Sequence, residues 1–181
     1  MIHSGSSSSI SGNFKKVGDE MKTLLVYYSQ KGNTKQIVDL LKKKVKADTF
    51  DTVTDRVYDD DDWKASDQAL AEIQSGQLPE LVHAIPDLTK YDTVIIGGPV
   101  WGQSLSNPIR KFLEEADLSG KKVTGFWTFW DHDEYYSKTM KEELEKKNAT
   151  YIEGLPMPRS LTGNSERLNE AINQWLSSLH S

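Results

Sequence analysis

The 181-residue chain contains no cysteine, and this absence excludes several kinds of chemistry. Disulfides, iron–sulfur clusters, thiol redox reactions and a cysteine nucleophile are all unavailable to it. If the protein transfers electrons, a bound cofactor must therefore carry them.

Long hydrophobic runs are also missing, since no segment approaches the roughly 18 apolar residues that span a membrane. The formal net charge of −5 disfavours nucleic acid and anionic membranes as partners. Residues 1–20 are rich in serine and glycine and have no apolar core, which predicts a flexible leader or expression tag. We expect Met21 to be the natural start of a single cytoplasmic domain over residues 21–181.

Two common nucleotide-binding motifs are absent, namely the Gly-Lys-Ser/Thr ending of a Walker loop and Gly-x-Gly-x-x-Gly. Instead, an apolar run at residues 23–28 is followed by the polar turn Ser29–Thr34 and a helical pattern. A strand–turn–helix junction points backbone N–H groups and the positive end of a helix at one place, which favours phosphate binding. The same residue types also cap helices without any ligand, so this turn alone leaves both interpretations open.

Strand and helix patterns alternate five times after Met21, which predicts an α/β/α sandwich around a parallel sheet. The five predicted strands lie near residues 23–28, 49–53, 93–96, 123–128 and 150–154. The first, third and fourth are almost continuously apolar and belong in the centre, while the second and fifth alternate with polar residues. The predicted strand order is therefore 2-1-3-4-5, with a ligand site beyond the carboxyl ends of strands one and three.

Three loops are predicted at that edge of the sheet. The first is Ser29–Thr34, the second is Gly98–Ser104 with Trp101 between glycines, and the third is the aromatic and acidic segment Thr128–Tyr136. A phosphate site beside flat aromatic side chains suits a planar heteroaromatic mononucleotide. His132 is expected to face solvent.

The tryptophans receive different predictions. Trp101 lies outside any periodic pattern and is assigned to the ligand, whereas Trp127, with Phe126, and Trp175 are expected in the core. Trp63 is expected to pack the second helix against the sheet.

Several motifs, by their order and spacing along the chain, resemble those of bacterial flavodoxins, and the resemblance covers residues 22–179. They are Ser29-x-x-Gly32-Asn33-Thr34, Tyr91-Asp92, Gly98-Pro99-Val100-Trp101, Pro108, Lys111-Phe112-Leu113 and Leu118-Ser119-Gly120-Lys121-Lys122-Val123. The segment from Tyr58 to Pro79, including Glu72-Ile73 and Gly76, is similar to one bacterial branch.

The resemblance implies flavin mononucleotide (FMN), bound without a covalent bond. Its phosphate would be held by Ser29, Gln30, Lys31, Gly32, Asn33 and Thr34. Beside its ring the resemblance implies Pro99, Val100, Trp101, Gly102, Thr128, Phe129, Trp130, Asp133 and Tyr136, with Trp101 stacked on one face. Many flavodoxins carry Gly-Asp-x-x-Tyr in the third loop, and here His132 replaces the glycine. Tyr136, Tyr135 and Trp130 all remain candidates for the second face.

The function expected from these features is electron transfer by a monomer or weak dimer whose redox partner proteins dock transiently at the flavin edge. The acidic third loop would oppose negative charge on the flavin and so lower its potential. The alternative is an NAD(P)H-dependent FMN reductase that acts on quinones or flavins. A phospho-acceptor signalling domain is disfavoured because Tyr28-Ser29 and Gly97-Gly98 stand where acidic residues would be needed.

Overall fold

A computed structural model describes residues 22–179, and the prediction for residues 1–20 lies outside this range. The described residues form seven strands and six α-helices. In chain order these are β1 (Lys22–Tyr27), α1 (Asn33–Lys42), β2 (Ala47–Asp51), α2 (Asp62–Ser75), β3 (Tyr91–Trp101), β4 (Ser104–Leu105), α3 (Asn107–Glu115), β5 (Lys122–Phe129), α4 (Tyr136–Lys146), β6 (Thr150–Tyr151), β7 (Leu155–Pro158), α5 (Arg159–Thr162) and α6 (Ser165–Ser178). Between residues 22 and 179 no helix has the length and apolarity needed to cross a membrane.

The central sheet confirms the predicted α/β class and strand arrangement. Its parallel order is β2-β1-β3-β5-β6, and β7 pairs with the later part of β5, from Phe126↔Leu155 to Phe129↔Pro158. The three continuously apolar strands occupy the centre, and β2 lies at one edge, as predicted.

The predicted number of five strands is wrong, because the described part of the chain contains seven. The fifth position is divided between β6 and β7, and the short β4 pairs antiparallel with the end of β3. At the division, a Cβ atom on Gly154 would collide with the carbonyl oxygen of Gly125, so the chain passes too close for an ordinary strand residue. Pro156 and Pro158 then obscure β7 in the sequence, since proline is unusual within strands.

Two buried clusters cover the two faces of the sheet, because successive strand residues point to opposite sides. Leu24 and Val26 pack with the inner faces of α3 and α4, whereas Leu25 packs with those of α1 and α6. Phe126, Trp127 and Trp175 are buried in these clusters, which confirms their predicted place in the core.

The predicted packing of α2 is wrong. Trp63 is 84% exposed, and Leu70 and Ile73 are also exposed, while Ala65, Ala69 and Glu72 form the buried face. Two alanines allow a close approach of the helix, and the carboxylate of Glu72 finds buried hydrogen-bond partners. The buried face of α2 is therefore set by a polar side chain, which hydrophobic spacing does not reveal.

Candidate functional site

The turn after β1 leads into α1 through an N-cap residue that has no side chain. Gly32 occupies the N-cap position with φ +87°, and a Cβ atom there would meet nothing within 4 Å. The hydroxyl of Ser29 accepts a hydrogen bond from the N–H of Lys35 at 3.1 Å. Helix geometry leaves the N–H groups of Asn33 and Thr34 without intrahelical acceptors. The simple capping interpretation thus accounts for only part of this turn.

Two surface contacts join the turn to the segment before α2. The side-chain amide of Gln30 donates to the carbonyl oxygen of Asp59 at 2.5 Å, and the ammonium of Lys31 lies 2.6 Å from a carboxylate oxygen of Asp62. Lys31 is the only basic residue between Ser29 and Thr34, and Asp62 offsets its charge. An anion at this turn would therefore depend mainly on neutral donors.

A third contact joins this turn to the end of β5. The hydroxyls of Thr34 and Thr128 are 3.3 Å apart, and Thr34 is buried. This contact brings the first and third predicted loops together.

The second predicted loop is a β-hairpin rather than an irregular segment. β3 continues to Trp101 and pairs with β4 through Val100↔Leu105 and Trp101↔Ser104. The two turn residues, Gly102 and Gln103, have φ values of +54° and +67°, as tight two-residue hairpin turns require. Trp101 is thus fixed at the end of a central strand, and Pro99 pairs with Thr128 of β5.

Trp101 lies against two tyrosines that the sequence analysis did not assign to the site. Its ring centroid is 5.4 Å from that of Tyr28 and 4.7 Å from that of Tyr58, both in edge-on geometry. Burial raises the pKa of the Tyr28 phenol to about 12. Burial first, and then the hydrogen bond to Glu72, raises the pKa of Tyr58. Both phenols are therefore neutral at physiological pH. We call the cluster of Tyr28, Tyr58 and Trp101 the aromatic wall.

The base of the third loop belongs to the protein core. The indole N–H of Trp127 donates to a carboxylate oxygen of Asp133 at 2.7 Å. Tyr136 is fully buried and stacks on Trp127 with ring centroids 4.6 Å apart and an interplanar angle of 20°.

Tyr136 was one of three candidates for the second ring face, and its complete burial against Trp127 corrects that candidate assignment. Tyr136 begins α4 and shares its buried face with Met140 and Leu144. Their spacing of four residues was the available signal for a core position.

Trp130 and Tyr135 are the exposed aromatic residues of this loop, with exposed fractions of 64% and 55%. The guanidinium carbon of Arg159 lies 3.6 Å from the centroid of the Trp130 ring. The N–H of Tyr135 donates to the carbonyl oxygen of Gln103, which ties this loop to the hairpin of Trp101. Phe129, by contrast, is half-buried and packs against the core. Arg159 escaped the sequence analysis because only the pairing of β5 with β7 brings it near Trp130.

Asp131, His132 and Glu134 of the third loop face solvent, as predicted for His132. An imidazole nitrogen of His132 lies 2.9 Å from a carboxylate oxygen of Glu134, and the other lies 3.7 Å from Asp131. The hydrogen bond to Glu134 and the charge of Asp131 raise the pKa of His132. This end of the site is acidic at its surface, with Arg159 as a nearby cation.

A family model described as flavodoxin matches residues 22–178. The chain belongs to the flavodoxin family. A search of curated proteins found no match. Among solved structures, a Lactobacillus acidophilus flavoprotein in complex with FMN is 25% identical and has a TM-score of 0.69, covering 86% of this chain and 99% of its own.

Two further structures share the flavodoxin fold at lower identity. Flavodoxin 2 from Bacillus cereus is 23% identical with a TM-score of 0.53, covering 86% of this chain and 95% of its own. An NADPH-quinone reductase from P. pentosaceus is 10% identical with a TM-score of 0.57, at the same two coverages. Identities this low show a common fold, while the activity must be argued from the site.

Proposed function

We propose that this protein binds FMN at the carboxyl ends of β1, β3 and β5 and works as an electron-transfer flavodoxin. The observation that carries the proposal is the start of α1 at Gly32, where the N–H groups of Asn33 and Thr34 have no intrahelical acceptors, on the same edge of the sheet as the aromatic wall. The FMN complex of the Lactobacillus acidophilus relative supports the choice of cofactor.

The residues present fit this cofactor at both of its ends. Open space at Gly32 and the free N–H groups at the start of α1 suit a phosphate, with Ser29, Gln30 and Thr34 nearby. Trp101 offers an aromatic surface for the ring, backed by Tyr28 and Tyr58. When bound, FMN supplies a ring that accepts and releases electrons singly or in pairs.

The protein's own side chains would set the environment of that ring. Trp101 excludes water from one face, and Trp130 or Tyr135 can cover the other. The carboxylates of Asp131 and Glu134 disfavour the negative charge that a flavin gains on reduction, which lowers its potential. Arg159 opposes this effect near Trp130. An acidic surface around the ring also suits brief encounters with redox partners that carry a basic face, with the protein acting as a monomer or weak dimer.

A second candidate function is an NAD(P)H-dependent reductase of quinones or flavins. The exposure of Trp130 favours it, because a nicotinamide or quinone needs access to the second ring face. The NADPH-quinone reductase from P. pentosaceus shows that this fold can host such chemistry.

Cofactor binding is tested by titrating the cofactor-free protein with FMN and with riboflavin, which lacks the phosphate. We expect FMN to bind, with the visible absorbance of a bound flavin, and riboflavin to bind at least about tenfold more weakly, since charge-assisted hydrogen bonds carry over 1 kcal/mol. Failure to bind FMN would overturn the proposal, and equal affinities would remove the phosphate role of Ser29–Thr34.

The second measurement separates the carrier from the enzyme. With FMN bound, NADH or NADPH and a soluble quinone are added, and nucleotide oxidation is followed at steady state. A carrier shows no sustained oxidation until a separate flavodoxin reductase is supplied. Sustained oxidation by the protein alone would favour the reductase function.

A further inference from the structure

A buried carboxylate lies directly behind the aromatic wall. Glu72, on α2, is only 6% exposed, and both of its carboxylate oxygens accept hydrogen bonds. Oε1 accepts from Arg56 at 2.9 Å, and Oε2 accepts from the Tyr58 hydroxyl at 2.8 Å and from the Asn107 amide at 2.7 Å. Burial of a carboxylate is costly unless donors satisfy it, so this arrangement needs all three partners.

These partners come from two separate parts of the chain. Asn107 begins α3, is fully buried and also donates to the carbonyl oxygen of Ala69 on α2. Tyr58 and Arg56 come from the segment between β2 and α2. Glu72 therefore fixes that segment against two helices at once.

The Tyr58 hydroxyl is the point at which this network reaches Trp101. The Tyr58 ring is buried, and its centroid lies 4.7 Å from that of Trp101. A tyrosine held at its hydroxyl end cannot change rotamer freely. A second tyrosine, Tyr28, contacts Trp101 at 5.4 Å. The orientation of the Trp101 indole thus depends on Tyr28 and Tyr58, neither of which belongs to the hairpin that carries Trp101.

We propose that Glu72 is a positioning residue of the FMN site. It holds the hydroxyl of Tyr58, and Tyr58 in turn fixes Trp101 in the orientation that receives the flavin ring. The cofactor part of this inference rests on the proposed function. The competing explanation is that Glu72 only joins α2 to α3 through Asn107, in which case Trp101 would not respond to it.

A double-mutant cycle separates the two explanations. Glu72→Gln keeps the side-chain size, and Tyr58→Phe removes only a hydroxyl. Each single change is expected to weaken FMN binding about tenfold. The double variant should bind FMN no more weakly than the weaker-binding single variant, because both changes remove the same contact. The thermal stability lost in Glu72→Gln should persist in the Tyr58→Phe background, since glutamine has one acceptor oxygen where the carboxylate has two, and Asn107 and Arg56 can no longer both be satisfied.

Glu142→Gln is the matched control, because Glu142 is an exposed carboxylate on α4 that pairs only loosely with Lys138 at 3.9 Å. It should leave FMN affinity unchanged. Additive losses in the double variant, or unchanged affinity in Tyr58→Phe, would overturn the positioning role.

A measurement without cofactor tests the same inference independently. The protein is labelled with 5-fluorotryptophan, and the five tryptophan signals are assigned by single Trp→Phe changes in ¹⁹F NMR. Glu72→Gln and Tyr58→Phe should each shift or broaden the Trp101 signal, whereas Glu142→Gln should not. An unchanged Trp101 signal in Tyr58→Phe, which conserves the ring and should fold, overturns the inference. A response of Trp101 in a protein that fails to bind FMN would instead reject the cofactor and retain the positioning role.

Discussion

Trp101 and Trp130 both lie at the carboxyl edge of the sheet, but their surroundings differ greatly. Trp101 ends a central strand, sits beside a two-residue turn and contacts two tyrosines. Trp130 is 64% exposed and contacts the guanidinium of Arg159. One aromatic surface of the site is thus held by other aromatic side chains, while the other is open to solvent.

This difference suggests a division of work between the two sides. A preformed surface loses little conformational freedom on binding, so the Trp101 side should supply most of the cofactor affinity. An exposed aromatic residue with charged neighbours should mainly affect the potential of the flavin and its access to partners. The following predictions test this division, from the largest expected effect to the smallest.

Replacement of the two tryptophans tests the comparison directly. Trp101→Ala should weaken FMN binding by about 10- to 100-fold, because stacking on an aromatic side chain contributes about 1–3 kcal/mol. Trp130→Ala should weaken it by about fivefold or less, as expected of an exposed contact. Quenching of FMN fluorescence during titration measures both values. Equal losses would show that the two sides are equivalent.

Asp133→Ala tests whether the base of the third loop is structural. The indole N–H of Trp127 would lose its charged acceptor, which should lower the free energy of unfolding by about 1.5–3 kcal/mol. Urea denaturation of the cofactor-free protein measures the loss. Asp131→Ala is the control, since that side chain is exposed and should change stability by less than about 0.5 kcal/mol. A similar small effect in both variants would show that the contact between Asp133 and Trp127 does not stabilise the fold.

Gly32→Ala tests the phosphate end of the preformed side. Its φ of +87° disfavours a Cβ atom, so unfolding free energy should fall by about 1–2 kcal/mol. Gly120→Ala provides a matched control, because Gly120 has φ +74°, equally open space and a position before β5, at the opposite edge of the sheet. Both variants should lose similar stability in urea, and only Gly32→Ala should weaken FMN binding. A comparable loss of affinity in both would argue against a phosphate site.

Arg159→Gln tests the charge of the open side. Removal of this cation near the flavin should make its reduction potential more negative, by less than about 60 mV, which corresponds to a tenfold change for one electron. Potentiometric titration measures the shift, and Arg167→Gln on α6 serves as a charge-matched control. An unchanged potential in Arg159→Gln would place Trp130 and Arg159 away from the ring.

His132 should give the smallest effect. Glu134 and Asp131 favour its charged form, so NMR titration should find its pKa above 6.5, and Glu134→Gln should lower it. Because the folded pKa is the higher one, this contribution to stability is complete below about pH 6.5 and disappears as the pH rises through the folded pKa. A pKa at or below 6.5 would show that the two contacts do not persist in solution.

The order of the strands could be predicted from the sequence, because central and edge strands differ in how continuously apolar they are. The apolar runs of β1, β3 and β5 and the helical spacing around Ile172 are readable without knowledge of partners. β7 was missed because Pro156 and Pro158 resemble a loop, and β4 because Gly102-Gln103 is not a common hairpin turn.

The site was only partly predictable for a related reason. Its loops could be located, since the carboxyl ends of parallel strands meet at one edge. The roles of Glu72, Tyr136 and Arg159 depend on partners far away in the sequence. Trp63 shows the converse error, since it was predicted to be buried and is exposed. The buried hydrogen bonds of Glu72, and not the apolar spacing, decide which face of α2 turns toward the core.

The prolines of β7 have a consequence for how these molecules meet each other. Pro156 and Pro158 are two residues apart on a strand at the border of the sheet, so their backbone nitrogens point to the same side. Because proline cannot donate to the ladder, that side is the one away from β5, and it has no N–H at these two positions. The opposite border, β2, carries Asp48 and Asp51, whose charges discourage strand-to-strand addition. Crowded copies of this protein are therefore protected at both borders from joining their sheets into fibres.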